Sequence, residues 1–181
     1  MRLRAETLAA MLPARGGMNE LEFYRATVQA AFTLLGLWSV VAQFKYRDWV
    51  GRPEGRRLVL QTSLLFFLPG LMSLFSLIAD DTDAVWRTAF GVASAGGAIS
   101  VVAALVAGTA LTVPLRSMLG AAAVLYAAVV LVALAPDLSY DLVGLAPLEA
   151  EAGLISLMLA TGVTVAWLLL SRDAGEPGER P

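Results

Sequence analysis

Seven carboxylates are the first residues of this chain whose types and spacing suggest chemistry. Asp80, Asp81 and Asp83 fall in one short interval, and Asp137, Asp141, Glu149 and Glu151 fall in another. Gathered on one side of a membrane, such groups could concentrate cations at a pore mouth or offer oxygen ligands to Ca²⁺. The spacing lacks the pattern of a calcium-binding loop, and an excess of acid is also what solvated loops on the outer side present. The solvated loop is therefore the expected role of all seven. Asp80, Asp81, Asp83, Asp137, Asp141 and Glu149 make up the alternative, a cation vestibule.

A second set lies within apolar surroundings. Arg25 and Gln29 are four residues apart and share a helix face, and Glu22 precedes Arg25 by three residues, close enough to pair with it. An arginine this near a membrane boundary can snorkel to the headgroups, so the structural role is expected over solute binding. Gln61 stands alone in a later apolar stretch, where its amide is expected to bond a neighbouring helix. Lys45, Arg47, Arg52, Arg56 and Arg57 cluster beside Tyr46 and Trp49. Such a cluster next to a span is drawn to anionic lipid headgroups at ~1 kcal/mol per basic residue. Docking of a cytoplasmic partner is the other use of that patch.

Small residues form a third pattern. Gly96, Ser100, Ala104 and Gly108 recur every four positions, with Ala89, Ala93 and Gly97 as an adjacent row. In lipid, side-chain-poor faces let helix backbones approach closely. Packing within the chain is the expected use; a homodimer seam or a pore lining are the alternatives.

Absences narrow the chemistry further. The chain has no histidine and no cysteine, so disulfides, thiolate or imidazole metal sites, haem ligation by histidine and Ser–His–Asp triads are excluded within it. The net charge of −2 gives no nucleic-acid surface. No acid, lysine or arginine occupies the middle third of any apolar stretch, which weighs against a proton-coupled carrier. No cofactor, metal or catalytic residue is expected.

The elements that must position these residues are read from charge-free stretches at 26–44, 58–79, 88–115, 117–136 and 152–171. About 20 apolar residues in a helix cross a hydrocarbon core of ~30 Å. Hydrophobic residues make up 58% of the chain and charged residues 15%, with a mean hydropathy of +0.72, whereas soluble domains carry about 25% charged residues. The expected fold is all-α, a polytopic bundle of five transmembrane helices at about 21–44, 58–79, 85–110, 117–135 and 150–171. This is one membrane domain between an N-terminal tail (1–20) and a disordered cytoplasmic tail (172–181).

Pro69 and Gly70 fall near the middle of the second helix, where proline removes one backbone hydrogen bond and favours a kink. From Thr88 to Pro136 only Arg116 interrupts the apolar run, and as one helix this segment would extend ~70 Å. It must fold back, and Thr109 to Arg116 is the expected break. The segment from Pro136 to Glu149 is expected to be a connection.

Basic residues concentrate in the first and third connections and in the C-terminal tail. By the positive-inside rule these are cytoplasmic, the N-terminus is outside and the acidic connections are extracytoplasmic. Arg2, Arg4 and Arg15 oppose this orientation, a conflict that largely disappears if Met18 is the start. Leu8 to Leu12 is too short an apolar run for a cleaved signal. Arginine outnumbers lysine twelve to one, a bias expected of a GC-rich bacterial genome and so of a bacterial inner membrane. The expected function is a non-catalytic scaffold, assembly or accessory subunit whose partners are membrane lipid and a second copy or another membrane protein. A small oligomeric channel or transporter is the alternative, and a lipid-acting enzyme ranks last.

Overall fold

The computed structural model describes residues 15–45, 49, 53–79, 83–107 and 111–174. Six helices account for nearly all of them, with no strand among the described residues: α1 (Arg15–Phe44), α2 (Pro53–Ile78), α3 (Asp83–Ala107), α4 (Val113–Leu134), α5 (Asp137–Val143) and α6 (Pro147–Ala174). Five of them, all but α5, are long and apolar enough to cross a membrane. The protein is a multi-pass helical membrane bundle.

Several boundaries differ from those expected, each for a local reason. Helix α4 opens at Val113, so Pro114 and Arg116 lie in its first turn instead of in the break. Proline is tolerated there because its missing N–H would have had no partner within the helix. Thr112, in extended conformation, is the residue at which the chain turns into α4. The expected connection between Pro136 and Glu149 contains the short helix α5, with Asp137 in its first turn and Gly144, at φ 69°, closing it. Helix α1 starts at Arg15, ahead of Leu21, and α6 continues to Ala174. Pro69 sits inside α2 without ending it.

Helix contacts run α1–α2–α3–α4–α6 and back to α1, and α2 and α6 also touch across this ring. Accordingly, half of the most apolar window of α2 is buried inside the protein, against 17% for α1. Each inward face is a stripe at three- and four-residue spacing, the repeat that places side chains on one side of a helix. Leu115, Leu119, Ala122, Tyr126, Val129 and Ala133 are buried on α4, and Glu151, Ile155, Met158, Val165 and Leu169 on α6.

Because lipid tails are as apolar as leucine, these helices hold together by van der Waals contact and by hydrogen bonds that cross between them. The Trp38 indole donates to the Val59 carbonyl (3.3 Å), joining α1 to α2. Gln61 Nε2 donates to the Ser100 carbonyl (3.0 Å) and hydroxyl (2.6 Å), joining α2 to α3. The Tyr126 hydroxyl donates to the Leu64 carbonyl (3.3 Å), joining α4 to α2. Each such bond contributes about 0.6–2 kcal/mol in a bilayer.

Antiparallel packing separates charge between the two ends. One end gathers Lys45, Arg56, Arg57 and Arg116. The other, here called the acidic end, holds Glu20, Glu22, Asp137, Asp141, Glu149 and Glu151, together with Arg25 and Arg87.

Candidate functional site

The first turns of α6 bring the site's residues together. Pro147 opens the helix, and Glu149, two residues on, accepts the Ala146 N–H at 3.1 Å. A side chain reaching back in this way satisfies a donor that the helix start leaves unpaired. Glu149 is thus exposed and engaged in capping. Glu151, two residues further, is fully buried, and neither of its carboxyl oxygens has a hydrogen-bond partner. This overturns the expectation of a solvated carboxylate: Glu151, already inside the expected fifth span, is the first residue of the inward stripe of α6.

Tyr24 faces it from α1. The ring is buried, and its hydroxyl donates to the Leu148 carbonyl at 2.9 Å, fastening α1 to the start of α6. Glu151 lies within electrostatic reach of this phenol, and the Ser76 hydroxyl of α2 lies beside it outside hydrogen-bonding geometry. Ser73, three residues before Ser76 on the same face of α2, is fully buried and also unpartnered. Other hydroxyls behave as expected for membrane helices and donate to the preceding turn: Ser63 to Val59, Ser156 to Ala152, Thr161 to Leu157 and Thr164 to Ala160. Ser94 donates to Met72 Sδ. Ser73 and Ser76 depart from this pattern at the same end of the bundle as Glu151.

A pocket of about 240 Å³ opens at this end, lined by Glu20, Trp86, Arg87, Pro136, Ala146, Pro147 and Leu148. Leu148 belongs to both features, since it lines the pocket and accepts the bond from Tyr24. Trp86 is buried, edge-on against Phe90. Arg87 donates from Nε to the Ala133 carbonyl (2.8 Å) and from Nη2 to the Leu134 carbonyl (3.2 Å). It thereby caps the last carbonyls of α4, where a cation also complements the helix dipole. We expect Arg87→Met to lower the thermal unfolding midpoint in detergent by an amount equivalent to about 1–2 kcal/mol; an unchanged midpoint would refute the capping role.

The remaining sequence candidates are dispersed. Glu22, Arg25 and Gln29 are exposed on α1, and among the described residues no ion pair joins Glu22 to Arg25, so the expected pairing is not formed. Gln61 lies in the other half of the bundle, bound to Ser100, with its Oε1 buried and unpartnered. Of the vestibule residues, Asp137 and Asp141 are exposed, Asp83 opens α3, and Asp80 and Asp81 lie outside the described residues. No group of three or more acidic side chains among the described residues is placed to hold a metal ion.

The small-residue rows of α3 divide. Gly97 is pressed against the Tyr126 ring, Ala104 is buried, and Ala93 and Ser100 are half-buried. Gly96 is exposed with nothing near it, and Gly108 lies outside the described residues. In the basic patch Arg56 and Arg57 are exposed and Lys45 is half-buried, while Arg47 and Arg52 lie outside the described residues.

Glu151 was legible in principle. Positions 151, 155, 158, 162, 165 and 169 follow one helical stripe, and only the first of them is polar enough to be charged. Comparison with protein-family models, curated proteins and solved structures finds no match to this chain.

Proposed function

We propose that this protein is a non-catalytic scaffold, assembly factor or accessory subunit of a bacterial inner membrane, working by association with a second copy or with another membrane protein. The observation that carries the reading is the outward face of α3. Val92, Ile99 and Val106 stand 70%, 70% and 80% exposed at seven-residue intervals, and beside them a Cβ added at Gly96 would meet nothing within 4 Å. A seven-residue apolar repeat with a glycine beside it suits the close approach of another helix in lipid. The basic end supports an orientation with the C-terminus cytoplasmic and the N-terminus outside, its exposed arginines seated among anionic headgroups.

Native mass spectrometry of the detergent-extracted protein tests the reading. We expect a dimer or a bound partner, and we expect Gly96→Leu to weaken that association at least tenfold by blocking backbone approach. A chain that is monomeric and alone at every concentration refutes it.

A second reading, a small oligomeric channel or transporter with an acidic vestibule, is favoured by one observation: the unpartnered carboxyl of Glu151 at the acidic end of the bundle. Solute flux through the reconstituted protein would decide for it.

A further inference from the structure

Most buried polar atoms in proteins have a hydrogen-bond partner, and those that lack one call for a water, an ion or a ligand to explain them. At the acidic end both Glu151 oxygens and the hydroxyls of Ser73 and Ser76 are buried without a partner, on two helices that touch each other. Tyr24 links them, with its phenol beside Ser76 and within electrostatic reach of Glu151. A carboxyl removed from water either takes up a proton or is balanced by a counter-charge, and a cation held against it favours the charged form. The nearby cations do not supply the counter-charge: Arg25 is exposed on α1, and Arg87 is occupied by the Ala133 and Leu134 carbonyls.

The donor set specifies what could. Every available atom is a hard oxygen, from one carboxylate, two aliphatic hydroxyls and a phenol. Ca²⁺ takes 6–8 oxygens and usually several carboxylates, so a single Glu would leave a divalent ion under-neutralised in a low-dielectric setting. A monovalent ion balances the one negative charge. A pocket at the same end shares Leu148 with the Tyr24 contact, and its wall carries both Glu20 and Arg87.

We propose that Glu151, Tyr24, Ser73 and Ser76 form an internal binding site for one small monovalent cation of the Na⁺ type at the acidic end. The site does not depend on the assembly reading, because an ion held between α1, α2 and α6 fastens those helices whether the bundle associates or conducts.

Thermal unfolding of the purified full-length chain in detergent tests it, with NaCl replaced by N-methyl-D-glucamine chloride at constant ionic strength. Na⁺ is expected to raise the midpoint saturably, by roughly 5–10 °C at a hundredfold excess over half-saturation. Glu151→Gln, which keeps the volume and removes the charge, should abolish the rise. Asp141→Asn, an exposed control, should leave it intact. Equal midpoints in the two salts overturn the proposal, as does a Na⁺-dependent rise that survives Glu151→Gln. If Glu151→Gln does not fold, Ser76→Ala decides: the proposal requires half-saturation to move to at least several-fold higher Na⁺, and an unmoved value overturns it.

Discussion

Replacing Gly97 with valine is expected to destabilise the bundle by about 2–4 kcal/mol, although the same change one residue earlier, at Gly96, should leave the unassociated bundle within about 0.5 kcal/mol. The two glycines differ in what lies beside them. A Cβ at Gly97 would fall onto the Tyr126 ring, with Cζ at 2.5 Å and Cδ1 at 2.8 Å, whereas at Gly96 it would meet nothing. The Tyr126 ring cannot swing aside cheaply, because it is fully buried on α4 and its hydroxyl is bonded to the Leu64 carbonyl of α2. The added methyl groups must therefore separate α3 from α4 or pull Tyr126 from its acceptor. Thermal melts of both variants in detergent check this. A double variant, Gly97→Val with Tyr126→Leu, should recover part of the loss, since a smaller side chain vacates the space that valine needs. Additive losses would show that the contact between Gly97 and Tyr126 is not what limits stability.

The span count was legible because it depends on length and hydropathy alone, and lipid imposes both on any helix that crosses it. The seam through Gly97 was partly legible: the small-residue rows on α3 pointed to close packing, but nothing local distinguishes Gly97, which meets Tyr126, from Gly96, which faces outward. That difference is set by the rotation of α3 about its axis, which depends on its neighbours. Helix α5 was missed because seven residues are too few for a periodic signal.

The candidate site was the least legible part. Reading charge by interval grouped Glu151 with the solvated carboxylates of the preceding connection, since it lies two residues from Glu149 in a generally acidic segment, although the expected span already began at about residue 150. Reading the same residue by helical register assigns it to the stripe that continues through Ile155 and Met158. The structure follows the register: α6 runs from Pro147, and Glu151 lies on its inward face. Tyr24, Ser73 and Ser76 carried no signal of their own. The packing of α1 and α2 against α6 brings them to the same end of the bundle as Glu151.

Gly55→Ala is expected to invert the usual sign of a helix substitution. Alanine in place of an exposed helical glycine normally gains up to ~1 kcal/mol, and Gly55 lies in the first turn of α2. Here a Cβ would fall onto the carbonyl oxygen of Trp49, with the carbonyl carbon at 2.7 Å and Cα at 2.9 Å. Those atoms are backbone, so no rotamer change relieves the overlap. Trp49 is held in turn: its N–H donates to the Lys45 carbonyl at 2.9 Å, and its ring stacks on Trp38 with centroids 5.7 Å apart and planes at 27°. Trp38 is itself bonded to the Val59 carbonyl of α2. A methyl group at position 55 thus pushes against a closed circuit that ties the end of α1 to the start of α2. The expected result is a net loss of about 1–3 kcal/mol, accompanied by a change in tryptophan emission as the Trp38–Trp49 stack opens. A rise in the unfolding midpoint with unchanged emission would mean that the segment around Trp49 yields freely, and that the two rings do not fix how α1 meets α2.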